Sequence, residues 1–89
     1  MSGPDLNLLF TLDALLQQGS VVGAGRKLGL SPSAMSRALA RLRTVTGDPL
    51  LVRAGRGLVA TPRAEAMRDE VHRLVEDARA VLRPADTVD

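Results

Sequence analysis

The 89-residue sequence predicts a mostly α-helical fold with one short β-hairpin. Three observations predict it. Apolar residues recur at steps of three and four in several segments, which is the period of a helix with one buried face. Ser31-Pro32 and Thr61-Pro62 are strong helix starts, because a hydroxyl caps the first turn and proline fits its first position. Two short apolar runs flank a glycine-bearing turn within residues 50–60, which is typical of a hairpin.

The first helix is predicted over residues 5–18, and Gly19 is suited to end it. Leu8 and Phe10 lie off its main apolar stripe and indicate a second contact surface. The main stripe, which should face the core, consists of Leu6, Leu9, Leu12, Leu15 and Leu16.

A short second helix is predicted from the capping residue Ser20 to about Leu28, followed by Gly29 as a left-handed terminator. Gly23 and Gly25 lie inside it, and each costs roughly 1 kcal/mol relative to alanine in an exposed helix. Close crossing by another helix, where a Cβ would clash, would explain them.

The third helix is predicted to begin at Ser31-Pro32 and to end at Gly47-Asp48-Pro49. A short helix, a glycine turn and a helix opened by Ser-Pro together have the plan of a helix-turn-helix. The hairpin at 50–60 is too small to be stable alone and must pack on the helices. The apolar face of the third helix consists of Met35, Ala38, Leu39 and Leu42.

The longest helix is predicted from Thr61-Pro62 to about Arg83. The helix-turn-helix should cover only its first turns. The rest of an apolar seam with heptad-like spacing is then free for dimerisation, at roughly 1.5–3 kcal/mol per buried side chain. The seam is Met67, Val71, Leu74, Ala78 and Val81. The acidic residues of this helix are expected on a solvated face, where three of them can pair with arginines, as Glu65/Arg68, Asp69/Arg73 and Glu76/Arg79. His72 is expected to be an ordinary surface or seam residue, and residues 1–4 and 84–89 frayed ends.

The charge is concentrated in the middle of the chain. Residues 20–63 carry eight Arg or Lys against Asp48 alone, a net charge of +7, whereas residues 1–19 carry −2 and residues 64–89 carry −3. A basic block between acidic segments is typical of a surface that binds a polyanion, although solubility alone would also explain it. The absence of cysteine and the single histidine exclude disulfides, thiol catalysis and a cysteine or multi-histidine metal site. No apolar run is long enough for a membrane span or a secretory signal, so we expect a cytoplasmic protein.

Residues 21–40, VVGAGRKLGLSPSAMSRALA, resemble the helix-turn-helix of the LysR-type transcriptional regulators. The resemblance extends over about residues 5–83 through the motifs DLNLL, RLR, GDPLLVR, GRG and TPRA, and is strongest to the branch of nodulation and aromatic-degradation regulators. It implies a winged helix-turn-helix at 5–61, a three-helix core plus a short β-hairpin wing, with the helix-turn-helix at 21–40 and the wing at 50–60. A long linker and dimerisation helix follows at 62–83. The family usually continues into a ligand-sensing domain that this chain lacks, so we expect an isolated DNA-binding domain.

The start of the third helix carries the candidate residues for reading DNA. A recognition helix enters a major groove about 12 Å wide, so compact side chains at its start allow close approach. Ser33 and Ser36 can hydrogen-bond base edges, Pro32 and Ala34 can contact a thymine methyl, and Arg37 can bind guanine or a phosphate. The alternative is that the serines only cap the helix and the arginines are solvated.

The wing carries Arg53 and Arg56 beside Gly55 and Gly57, which permit a tight turn. The resemblance implies that this hairpin approaches the DNA backbone or the minor groove, where arginine is favoured. The alternative is that both arginines are solvated hairpin residues. Weaker candidates for phosphate contacts are Arg41, Arg26, Lys27 and Arg43.

Three positions depart from the family pattern. Gly25 stands where the family usually has alanine and Gly23 where it often has a larger residue, which predicts a less rigid or more tightly crossed second helix. Pro32 replaces the glutamine that frequently follows the capping serine, so the sequence preference of relatives does not transfer.

The sequence therefore predicts specific binding of double-stranded DNA for bacterial transcription regulation, by a homodimer on an inverted-repeat operator. The resemblance implies an antiparallel pair of long helices, touched by the first helix of the other subunit through Leu8 or Phe10. It leaves open a tetramer of the full-length protein and a contact with RNA polymerase. We expect no enzyme activity, no metal and no cofactor. The alternative is an interaction or dimerisation module without DNA, which would not need the basic block beside compact residues.

Overall fold

The computed structural model describes Gly3 and residues 5–85, and this part of the chain forms four helices and a two-stranded antiparallel sheet. The predicted mostly helical fold with a hairpin wing is confirmed. The predicted frayed ends fall largely on residues 1, 2, 4 and 86–89, which lie outside the described residues. The elements are α1 (Asn7–Gln18), α2 (Val21–Leu28), α3 (Pro32–Thr46), β1 (Leu51–Ala54), β2 (Gly57–Ala60) and α4 (Pro62–Leu82).

The helix boundaries follow the predicted capping residues. The hydroxyls of Ser20, Ser31 and Thr61 each accept a hydrogen bond from the backbone N–H three residues later, at 3.0–3.1 Å. These bonds satisfy donors that the first turn of a helix leaves free. At the other end, α1, α2 and α3 each stop at a glycine with positive φ, a conformation that other residues rarely adopt.

The core is aliphatic and α1 lies at its centre, packed against the other three helices. Because α1 is covered on several sides, six consecutive residues from Thr11 to Leu16 are buried. The predicted single stripe is therefore wrong at its N-terminal end. Leu6 is 66% exposed, whereas Leu8, which we assigned to a second surface, is 7% exposed and part of the core.

The seam of α4 divides between two environments. Val71 lies in the core with Ala64 and Val75, so the expectation that only the first turns are covered is wrong. Leu74 is 47% exposed and Val81 is 81% exposed. The seam prediction missed Val75, which packs against the rest of the chain at 1% exposure. The other two seam residues, Met67 and Ala78, are half-buried.

The surface of α4 carries two of the three predicted ion pairs. Arg68 Nη2 lies 2.9 Å from Glu65 Oε2, and Arg79 Nη1 lies 3.2 Å from Glu76 Oε2. The third predicted pair does not form in the part of the chain that the structure describes. Since such exposed pairs contribute little to stability, they mark this face as solvated.

The hairpin pairs Leu51 with Ala60 and Arg53 with Leu58, and a two-residue turn at Gly55-Arg56 connects its strands. Leu51 is buried and Leu58 half-buried, so this side of the hairpin faces the helices. Across the described residues, no helix combines the length and the apolar character that crossing a membrane requires.

Candidate nucleic-acid interface

The turn between α2 and α3 is tightly packed against α2. A Cβ on Gly25 would lie 2.6 Å from the carbonyl oxygen of Leu30 and 3.1 Å from Met35 Cγ. The predicted close approach at Gly25 is therefore confirmed, and the turn and α3 make it together. Gly23 has no such neighbour, because its Cβ would meet only the Gln18 and Ser20 side chains, at 3.3 Å and beyond. Glycine at position 25 thus allows the close contact that fixes α3 against α2.

The start of α3 presents the predicted reading residues on the side opposite the core. Ser33, Ser36 and Arg37 are exposed, and so is Pro32 at the first helical position. Ala34 is half-buried. On the other side of the helix, the fully buried Met35 anchors this turn to the core. The edge from Ser33 to Arg37 is therefore open and lined by small or basic side chains.

A groove of about 370 Å³ runs between the start of α2, the side of α3 that carries Ser36, Leu39 and Arg43, and the wing. It brings Ser36 together with Arg53 and Arg56, three of the residues that the sequence predicted for the site. Arg53 faces the groove because side chains alternate along a strand, which puts it on the same side as Leu51. The basic wing and the open edge of α3 therefore form one continuous surface.

Two candidate arginines of α3 have partners within the chain. Arg41 Nη2 lies 3.4 Å from Asp5 Oδ2 in an exposed pair, which is weak and readily exchanged for another anion. Arg43 is bound more firmly, since Nε donates to the Pro49 carbonyl at 2.9 Å and Nη2 to the Leu51 carbonyl at 2.8 Å. Two of the donor groups of Arg43, a weaker candidate for a phosphate contact, are therefore already used within the chain.

The base of the wing is closed by Asp48. Its Oδ2 accepts hydrogen bonds from the Thr61 hydroxyl at 2.7 Å and from the Leu50 N–H at 2.8 Å. The pKa of Asp48 is lowered below its ordinary value of 3.8, mainly by the Thr61 hydrogen bond, then by the Leu50 hydrogen bond and the nearby charge of Arg63. Arg63 also donates to the Thr46 carbonyl at the end of α3. These contacts join the chain entering the wing to the chain leaving it.

Sequence reasoning missed two contacts that hold α4 on α1. The Asp13 side chain is 3% exposed, and its Oδ1 lies 3.0 Å from Nδ1 of His72. Arg68 donates to the Leu16 carbonyl at the end of α1. Asp13 and His72 are 59 residues apart, so no local pattern could have indicated this pair. The one local sign of this pair was the position of Asp13 itself, a charged residue among five apolar or small neighbours in α1.

The basic block forms the helix-turn-helix and the wing, while the five acidic residues of α4 are exposed on a different element. Such a distribution directs a polyanion to α3 and the wing. The described residues contain no group of three or more His, Asp or Glu that could hold a metal ion. The exposed edge of α3, the groove and the charge thus favour nucleic acid as the ligand.

Residues 6–65 match the family profile described as "Bacterial regulatory helix-turn-helix protein, lysR family". The chain is 52% identical over 69 residues to nodulation protein D 1 of Rhizobium meliloti (strain 1021), an alignment that covers 78% of this chain and 22% of that protein. It is also similar to a probable transcriptional regulator of Pseudomonas aeruginosa, with 37% identity, a TM-score of 0.80, and coverage of 93% of this chain and 29% of that one. The chain therefore spans about a quarter of the length of these relatives.

The fold is also that of the CbnR DBD in its complex with DNA. The TM-score is 0.75 at 24% identity, and the alignment covers 88% of this chain and 90% of that one.

Proposed function

Because the chain belongs to the LysR family of bacterial regulatory helix-turn-helix proteins, we propose that it binds double-stranded DNA sequence-specifically and thereby regulates transcription. The observation that carries this proposal is the open Ser33–Arg37 edge of α3 beside the arginine-lined groove. Structures of the same fold bound to DNA, such as the CbnR complex, support it. In this proposal the protein is a binding protein of the bacterial cytoplasm and not an enzyme.

The first part of the proposed mechanism is base reading by α3. Its N-terminal turn enters the major groove, where Ser33 and Ser36 hydrogen-bond base edges and Pro32 and Ala34 contact methyl groups. Arg37, one turn in, donates two parallel hydrogen bonds to a guanine or clamps a phosphate. The compact side chains at the start of α3 allow the helix backbone to come close to the bases.

The wing supplies the second part. Arg53 and Arg56 face the groove, so a DNA backbone that lies along α3 passes between them and the start of α2. Such contacts carry affinity rather than sequence information, since every sequence has the same phosphates. Arg41 adds a third phosphate contact by exchanging its weak pair with Asp5.

A homodimer on an inverted repeat completes the proposal. Leu74 and Val81 leave apolar surface exposed on α4, with Leu82 beside them. Antiparallel pairing of two α4 helices would bury it, together with the half-buried Met67 and Ala78. Val71 has little surface left to bury in a dimer, because its side chain lies in the core. Tetramers and a contact with RNA polymerase belong to the whole protein and rest on family membership alone.

The test is selection of bound fragments from a random DNA pool, followed by binding measurements on the selected site. Arg37→Ala should lower affinity for this site by roughly 1–3 kcal/mol and relax preference at the base it contacts. Arg53→Ala should instead weaken binding to all sequences alike and reduce the salt dependence of binding. A pool that yields no enriched sequence, together with an Arg37→Ala variant that binds like the original, would remove the proposal.

A further inference from the structure

We propose that Arg43 is a positioning residue for DNA binding, which aims the wing arginines at the DNA without contacting it. This inference rests on the proposed function. It concerns how the Ser33–Arg37 edge of α3 and the wing are held in a fixed position relative to each other. Arg43 lies on the side of α3 that borders the groove, between the base-reading edge and the wing. Arg43 is therefore placed to fix the position of the wing relative to α3.

The hydrogen bonds of Arg43 reach the chain where the wing begins. Its Nε donates to the Pro49 carbonyl and its Nη2 to the Leu51 carbonyl, at 2.9 and 2.8 Å. Leu51 is the first residue of β1, and Arg53 follows two residues later on the same side of the strand. A tilt of Leu51 would consequently be passed to Arg53, because a paired strand moves as one piece.

The rest of the wing base closes the hairpin on itself. The Thr61 N–H donates to the Leu50 carbonyl at 2.9 Å, and Asp48 binds both residues through one oxygen. Leu50 has a φ of 66°, in the left-handed region that leucine rarely adopts, and its side chain is fully buried. Such a conformation persists only where the surroundings enforce it. The base of the wing is thus a rigid unit.

Hydrogen bonds of Thr46 with Asp48 and Arg63 join this unit to the end of α3, at a residue that does not line the groove. Beside the groove, burial of Leu50 and Leu51 sets how deep the wing lies, but apolar packing is non-directional and constrains its tilt only weakly. The fork of Arg43 supplies the directional contact there, because two donors in one plane meet two carbonyls at defined angles. Lysine keeps the charge but concentrates its donors at one point, and so cannot reproduce this geometry.

The experiment compares Arg43→Lys with a wing-neutral variant, Arg53→Ala/Arg56→Ala, by measuring affinity for the selected DNA site across salt concentrations. Arg43→Lys should mimic the wing-neutral variant. The slope of log K against log salt should fall by about 0.9 for each phosphate that the wing no longer binds, up to about 1.8 per domain. In the wing-neutral background, Arg43→Lys and Arg43→Ala should each change affinity by less than about twofold, since the wing arginines that Arg43 positions are already absent.

Arg73→Lys is the control, because it makes the same exchange at an exposed arginine of α4, outside the proposed interface. It should leave affinity and slope unchanged. The proposal is overturned if Arg43→Lys binds like the original protein. It is also overturned if Arg43→Ala lowers the slope by a further 0.9 or so in the wing-neutral background, which would mean that Arg43 binds a phosphate directly.

A measurement on the free protein separates positioning from folding. In Arg43→Lys, backbone ¹⁵N relaxation should show greater motion of wing residues 52–58, with α1 and the thermal unfolding midpoint little changed. Unchanged wing motion would overturn the proposal even without DNA data. If the original protein fails to select or bind DNA, the proposed function fails instead, and the relaxation result still decides whether Arg43 fixes the wing.

Discussion

Substitutions at two adjacent residues of α4 should have different effects, one on dimer assembly and the other on folding. Leu74 is 47% exposed, whereas Val75 is 1% exposed and packs in the core. Leu74→Asp should therefore disrupt pairing of two chains and leave each chain folded. Val75→Asp should unfold the chain, because it places an unpaired carboxylate among apolar side chains at a cost of several kcal/mol.

The size of the Leu74 effect follows from its exposed fraction. Full burial of a leucine side chain contributes roughly 1.5–3 kcal/mol, and about half of that remains available here. A twofold interface contains the residue twice, so its removal weakens the dimer by roughly 1.5–3 kcal/mol, or roughly 10- to 100-fold in the dissociation constant. Desolvation of the introduced carboxylate adds to this value.

Sedimentation equilibrium measures assembly, and circular dichroism at 222 nm measures folding. Fluorescence is unsuitable because the chain has neither Trp nor Tyr. We expect Leu74→Asp to sediment as a monomer with an intact helical signal, and Val75→Asp to lose that signal. A dimeric Leu74→Asp variant would place the interface elsewhere, and a fully helical Val75→Asp variant would refute the packing of α4 on α1.

Three further predictions concern stability, each measured by thermal or denaturant unfolding. Gly25→Ala should lower the free energy of unfolding by roughly 1–3 kcal/mol through overpacking, whereas the matched Gly23→Ala should not; equal effects would refute the tight turn. Asp48→Asn should be destabilising at pH 7. Because the folded-state pKa of Asp48 lies below 3.8, its stabilisation is complete above that pH and disappears as the pH falls through the folded value; parallel pH profiles of variant and original would contradict this. His72→Ala should cost roughly 1–3 kcal/mol by leaving the buried Asp13 carboxyl without its partner, and an unchanged unfolding midpoint would show that the pair is unimportant.

The boundaries of the elements were predictable because local chemistry sets them. Ser20, Ser31 and Thr61 cap their helices through hydroxyl bonds only three residues long. Local residue types likewise predicted that the start of α3 is capped and carries compact, polar side chains. Its exposure in the structure agrees with what the sequence indicated for Ser33 and Arg37.

Contacts between distant segments were not predictable. Leu6 is exposed and Leu8 buried, the reverse of the prediction. Three neighbouring helices, and not the period of α1 alone, decide which residues are covered. Val75 was missed for the same reason on α4. Arg43 looked like any other arginine of the basic block, since its partners are backbone carbonyls that no residue type reveals.

Titration of the isotope-labelled protein with its selected DNA duplex, followed through backbone amide chemical shifts, tests the proposed interface most directly. Shifts concentrated at residues 33–37 of α3 and 53–57 of the wing, with the acidic surface of α4 unaffected, are the predicted result. Shifts centred on α4, or an α3 edge that does not respond while DNA is bound, would contradict the interface.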